Sequence, residues 1–193
     1  MIIIDIKPQS NWINEKALDN SQHRIPNTIY NWLVLPDNLT ETIKKTGVDF
    51  SLTVVSQSMG TPYPDEIDAF KDYAVDASNS FIRTICLEGN NHPLIFARVI
   101  IPKSTYLNYK NEFDTLGDAP IGNTLLYNNN RIIRKAFEYK SVEHNDPVFQ
   151  ELQRLEPLRH SDIYWARRSI FILPRGALLI NEFILNNIPN YPE

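Results

Sequence analysis

Three ionisable side chains fall in rows that are otherwise apolar, and this pattern restricts the fold more than any other feature of the chain. In Phe81-Ile82-Arg83-Thr84-Ile85-Cys86-Leu87, Arg83 shares its parity with Phe81, Ile85 and Leu87. In Leu94-Ile95-Phe96-Ala97-Arg98-Val99-Ile100-Ile101, Arg98 falls in line with Leu94, Phe96 and Ile100. In Leu178-Leu179-Ile180-Asn181-Glu182-Phe183-Ile184, Glu182 shares its row with Leu178, Ile180 and Ile184. Side chains alternate along a strand with period two, so each charge points the same way as an apolar row. An unpaired buried charge is costly, and each of the three therefore needs a partner. Two inward arginines and one carboxylate suggest a closed pocket for a small anion.

Order along the chain sets the fold class. Residues 1–26 are polar and irregular and read as an N-terminal extension; 27–193 form the domain proper. A short helix over Ile29–Leu35 stops at Pro36. Asp37 or Asn38 caps a second helix, Leu39–Lys45, which Gly47 closes. Phe50–Val55 reads as a strand, and Met59–Asp76 as a long loop with a helix around Glu66–Asp72. Ser80–Leu87 and Leu94–Ile101 pair as a hairpin across Glu88-Gly89-Asn90-Asn91-His92-Pro93, because Gly and Asn tolerate positive φ. If that hairpin is symmetric about its turn, Arg83 and Arg98 share one face. Arg131–Lys140 reads as another strand, and Pro147 and Pro157 bracket a helix. Two strands, Tyr164–Leu173 and Ala177–Leu185, close the chain. Hairpin-length links with helices early and mid-chain predict an α+β single domain: roughly six antiparallel strands with helices on one side.

Composition removes several classes of function. The 193 residues suit one domain with a substantial core. With 19 basic against 23 acidic residues the formal net charge is −4, which argues against a nucleic-acid-binding face. Cys86 is the only cysteine, so neither an intrachain disulfide nor a multi-thiolate metal site can form. Cys86 reads as a small core residue. His23, His92, His144 and His160 lack ligand-like spacing, and no metal site is expected. Asp5 interrupts the apolar start Met1–Ile6, no small-residue cleavage site follows, and no apolar run approaches the roughly 20 residues that span a bilayer. The expectation is a cytoplasmic, cofactor-free monomer without membrane insertion. Gly117 and Gly122 mimic half a phosphate loop, but the Lys-Ser/Thr pair is missing, so they mark a turn. Arg167 and Arg168 are strand neighbours facing opposite ways, one expected in solvent and the other structural.

Six segments in order resemble the bacterial chorismate–pyruvate lyases. They are Trp32-Leu33-Val34-Leu35-Pro36-Asp37-Asn38-Leu39-Thr40, Ser51-Leu52-Thr53, and Phe81-Ile82-Arg83 with Ala97-Arg98-Val99-Ile100-Ile101-Pro102. Leu116-Gly117-Asp118-Ala119-Pro120-Ile121-Gly122, Tyr164-Trp165-Ala166-Arg167-Arg168-Ser169 and Leu178-Leu179-Ile180-Asn181-Glu182-Phe183-Ile184-Leu185 complete the set. The resemblance runs from about residue 30 to the end. Leu39 stands where a methionine can occur, Ile121 replaces leucine, and Asn186 replaces the proline after the last strand.

The resemblance implies conversion of chorismate to 4-hydroxybenzoate and pyruvate without metal or organic cofactor, as the first step of ubiquinone synthesis. It also implies an antiparallel sheet with helical flaps enclosing the ligand. By position, Arg83 would hold the ring carboxylate and Glu182 the ring hydroxyl, with the backbones of Leu39 and Ile121 contacting the ligand from two flaps. The residues agree chemically: a guanidinium matches a carboxylate bidentately and stays charged when buried. By that same chemistry Arg98 suits the enolpyruvyl carboxylate; Glu182 either helps remove the C4 proton or only orients the ring hydroxyl, with the proton passing directly to the enolpyruvyl methylene. Product trapped under flaps would leave slowly and inhibit. Taken singly, a strand arginine is more often a surface residue or half of a structural ion pair. The rival reading is a non-catalytic module that senses an aromatic acid, since a related fold serves winged-helix regulators in that role. Such a regulator carries a basic DNA-binding domain before the sensor, and 26 polar residues are too few for one.

Overall fold

The sheet is built on a hairpin whose two turn residues, Asn90 and Asn91, take φ of 53° and 62°. Asparagine tolerates this left-handed region, and two such residues in succession suit a tight two-residue turn. The computed structural model describes residues 11–36, 38–126, 130–158 and 163–192. Among these, seven strands form one antiparallel sheet: β1 (Phe50–Gly60), β2 (Ser80–Gly89), β3 (His92–Pro102), β4 (Ile133–Arg134), β5 (Glu138–Val142), β6 (Tyr164–Leu173) and β7 (Gly176–Ile184). The spatial order is β1-β2-β3-β7-β6-β4, with β5 also paired to β6. The expected strand over Arg131–Lys140 is therefore two strands, both laid along β6.

The α-helices are α1 (Glu15–Asp19), α2 (Asn27–Leu33), α3 (Leu39–Lys45), α4 (Pro64–Asp68), α5 (Lys103–Asn108), α6 (Lys110–Asp114) and α7 (Phe149–Leu155). Asn38 Oδ1 accepts from the backbone of Thr40 at 3.1 Å and caps α3; Asp37, the alternative cap, lies outside the described residues. Gly47 follows α3 at φ 80°. Gly176 is required by close packing, because a Cβ there would stand 2.2 Å from Thr105 Oγ1 in α5. The same hydroxyl accepts from Ala177 N, which fixes α5 onto the start of β7.

Helices cover both sheet faces, not one. On the front face, Trp32, Leu33, Leu35, Leu39 and Ile43 pack over Ile85, Ala97, Trp165 and Ile184. Beside them Phe113, Leu116, Ile121 and Leu126 pack over Val99, Phe171 and Leu178. On the back, Phe149 and Leu152 of α7 cover Phe96, Ala166 and Phe183, and Phe70 covers Ile100, Ile170 and Leu179. The central strands are apolar in both rows, so neither face can be left in water. Each buried large side chain contributes roughly 1.5–3 kcal/mol of transfer free energy.

Residues 11–26 pack against the rest of the domain. Ile13 bridges to Tyr139 on β5, and Leu18 and Ile25 are buried in the same cluster as Trp32. The first ten residues of the arm lie outside the described residues.

Candidate active site

Ladder register decides which charges meet. Arg83 lies opposite Gln57 on β1 and Val99 on β3, and Val99 lies opposite Ile180 on β7. One row along, Ala97 faces Glu182, and Glu182 faces Arg167 on β6. Paired residues share a face, so Arg83, Glu182 and Arg167 all project to the front. There they form a polar seam between the two hydrophobic clusters that α2–α3 and α5–α6 bring down onto the sheet.

Arg83 is 2% exposed, and its hydrogen bonds go to neutral acceptors. Nη1 donates to Gln57 Oε1 at 2.8 Å; Nη2 donates to the carbonyls of Gly117 at 2.7 Å and Ala119 at 3.4 Å. Among the described residues no carboxylate lies within ion-pair distance of it. Burial lowers its pKa from the ordinary arginine value, and the charge of Asp118 opposes that only in part. A buried cation with neutral partners attracts an anion, because a carboxylate would supply the missing countercharge.

Glu182 is fixed from the side. Arg167 Nε donates to its Oε2 at 2.5 Å. Arg167 Nη1 is directed at the carbonyls of Trp32, Leu33 and Leu35, the closest at 2.6 Å. These carbonyls are at the C-terminal end of α2 and just beyond, where unpaired acceptors and the negative end of the helix dipole favour a cation. One guanidinium thus ties the Glu182 carboxylate to the segment leading into α3. Arg167 is 1% exposed.

The two expected flaps stand at opposite sides of the seam. Leu39 is the first residue of α3, where backbone N–H groups have no intrahelical acceptor. Ile121 opens a short π-helical turn, Gly122–Leu126, directly after the Gly117–Ala119 loop that Arg83 holds. Both side chains are buried, in different clusters.

Arg98 does not join this group. It pairs with Thr84, not with Arg83, and so faces the back. A register shift between Leu87 and Glu88 adds one residue to β3, and one residue of slip moves a side chain to the opposite face. There Arg98 Nε and Nη2 bind the two oxygens of Glu66 at 2.8 and 3.0 Å, and its guanidinium carbon sits 4.1 Å from the Tyr63 ring centroid. Burial works against the charge of Arg98, but the hydrogen bonds and charge of Glu66 outweigh it and raise the pKa. The expectation that Arg98 meets the ligand beside Arg83 is therefore corrected: its countercharge comes from within the protein.

The row containing Arg98 is polar across the sheet. Ser56 Oγ and Thr84 Oγ1 are 2.7 Å apart, Asn181 Nδ2 donates to Glu66 at 3.0 Å, and Arg168 donates to Glu138 at 2.8 Å and the Asp65 carbonyl at 2.9 Å. Arg168, like Arg167, is buried, so neither of the pair is in solvent. The available signal was β6 itself: both of its rows are apolar around the arginines, which requires both to be buried. A recess on the back, lined by Trp12, Asp65, Glu66, Lys140 and Asn181, holds charges that pair with one another.

A family model described as chorismate lyase matches residues 9–191. A protein of Pseudoalteromonas atlantica named probable chorismate pyruvate-lyase is 30% identical over 185 residues, covering 94% of this chain and 90% of that one. A protein of Thiobacillus denitrificans with the same name is 29% identical over 160 residues, covering 83% of each. Among solved structures, the effector domain of PhnF from Mycobacterium smegmatis superposes with a TM-score of 0.52 at 12% identity, covering 78% of this chain and 89% of that one. The ligand-binding domain of a putative GntR-family transcriptional regulator from Bordetella bronchiseptica gives 0.51 at 12%, covering 75% and 89%. These two likenesses concern the fold alone.

Proposed function

The chain belongs to the chorismate lyase family, and from that premise we propose that it converts chorismate to 4-hydroxybenzoate and pyruvate, supplying the first step of ubiquinone synthesis. The observation that carries this reading is Arg83: a buried guanidinium with neutral partners, on the same face as Glu182 and between two flaps. Arg83 takes the ring carboxylate. Glu182, held by Arg167, accepts from the C4 hydroxyl. The backbones of Leu39 and Ile121 close on the ring from either side.

The reaction needs no co-reactant. The C3–O ether bond breaks, the hydrogen on C4 leaves, and the ring becomes aromatic. The enolpyruvyl fragment gains a proton on its methylene carbon and departs as pyruvate. Aromatisation drives the step, so the protein mainly fixes conformation and keeps water away. No described helix is long and apolar enough to cross a membrane.

Incubation of the protein with chorismate tests this directly, with 4-hydroxybenzoate and pyruvate expected in equal amounts. Saturable binding of 4-hydroxybenzoate without turnover would favour a sensing module of the same fold.

A further inference from the structure

The proposed substrate carries two carboxylates, and Arg83 accounts for one. With Arg98 on the back face, the second requires another cation on the front. Arg167 is committed to Glu182 and to the end of α2. One further strand arginine faces the front. Arg134 on β4 lies opposite Phe171 on β6, and Phe171 has the same parity as Arg167.

From the Phe171 row, the Arg134 side chain shares the Phe137 ring with Arg167, the residue that holds Glu182. Its guanidinium carbon is 4.6 Å from the centroid of the Phe137 ring, and that of Arg167 is 4.4 Å from the same centroid. The two guanidinium carbons are therefore within about 9 Å of each other. Arg134 is half-buried, and among the described residues no carboxylate pairs with it. Stacking on an aromatic face restrains the guanidinium plane while its N–H edge stays free to bind a carboxylate bidentately. Phe137 in turn packs on the cluster that contains Leu39 and Trp165, so the stack is anchored in the front wall of the site.

We infer that Arg134 receives the enolpyruvyl carboxylate. This rests on the chorismate reading above and assigns its second anionic subsite. Arg134 then distinguishes substrate from product, because 4-hydroxybenzoate has lost the carboxylate that Arg134 holds. Pyruvate leaves with that group.

Arg134→Leu and Arg134→Lys test the assignment, with chorismate kinetics and 4-hydroxybenzoate titration run on the same preparations. For Arg134→Leu, kcat/KM for chorismate falls about 10- to 100-fold, as for loss of a charge-assisted contact. The dissociation constant of 4-hydroxybenzoate moves less than about twofold, and Arg134→Lys recovers part of the loss. Unchanged chorismate kinetics, or equal weakening of both ligands, overturns the assignment. If the unaltered protein turns over no chorismate, the proposed function fails first. The dissociation constants of chorismate and 4-hydroxybenzoate in the two variants then still decide whether Arg134 reads the second carboxylate.

Discussion

Arg167 Nε meets Glu182 Oε2 at 2.5 Å, while the Nη1 of the same guanidinium meets the Leu35 carbonyl at 2.6 Å. One side chain therefore sets the orientation of the carboxylate and the position of the chain entering the α3 flap. Glu182 is a directed hydrogen-bond acceptor before any ligand arrives. Its contribution should show as recognition of the para-hydroxyl.

Glu182→Leu should abolish the preference for 4-hydroxybenzoate over benzoate, a preference of about 10- to 100-fold if the contact is charge-assisted. Arg167→Met should erode the same preference, because the carboxylate loses its support. A variant that weakens both ligands equally would indicate a general loosening of the site. Glu182→Gln separates orientation from proton transfer. With Arg167 already holding the carboxylate, turnover is expected to fall less than about tenfold, whereas an obligatory base would cost 10²–10⁴-fold.

Arg83 and Arg98 should respond oppositely to removal. Arg83→Met loses the countercharge for the ring carboxylate, so 4-hydroxybenzoate binding should weaken at least about 100-fold. The unliganded protein should lose little stability, since a buried charge without a counter-ion is itself unfavourable. Isothermal titration and thermal melting on one preparation check both halves.

Breaking the Arg98–Glu66 pair should cost about 3–5 kcal/mol from either side, because each single change strands a buried charge. Arg98→Met with Glu66→Met together should cost less than the sum of the two. Urea denaturation of the double-mutant cycle reads the coupling. Folded Arg98→Met should keep kcat/KM for chorismate within about threefold, because its side chain lies on the opposite face of the sheet from Arg83 and Glu182.

Cys86 is buried, and burial pushes its thiol pKa up to about 12, with Glu88 adding to the shift. At pH 8 the native thiolate is therefore scarce, and a disulfide-exchange reagent should react far more slowly with folded protein than with protein in denaturant. Because the folded pKa is raised, the thiol contributes stability below the ordinary value of 9.0, and this is lost as pH rises towards 12. Fast labelling of the native protein at pH 8 would contradict the burial.

On the proposed reading, with product enclosed at Leu39 and Ile121, product release should be the slow step. Rapid mixing with chorismate should give a burst of bound 4-hydroxybenzoate, followed by a slower steady rate equal to its dissociation rate. A product dissociation constant well above the KM for chorismate would refute this.

Much of the fold was legible locally. The caps at Asn38 and Gly47, the Asn90-Asn91 turn and the closing β6–β7 hairpin follow from residue conformational preferences and alternating apolar rows. The inward direction of Arg83, Arg98 and Glu182 followed from the same alternation. The covered back face and the packed Leu18–Ile25 segment did not, because short amphipathic stretches such as α7 gain stability only once docked.

The sequence alone determined that three charges sit among apolar neighbours and that each needs a partner. Tertiary structure determined which partner each one found. A symmetric β2–β3 hairpin would set Arg83 opposite Arg98, whereas the extra residue beside the turn sets Arg83 opposite Val99 and Arg98 opposite Thr84. That single slip sends one guanidinium to Glu66 on the back and leaves the other buried at the front, with no carboxylate paired to it among the described residues. Register is a relation between strands, and no pattern within one strand encodes it.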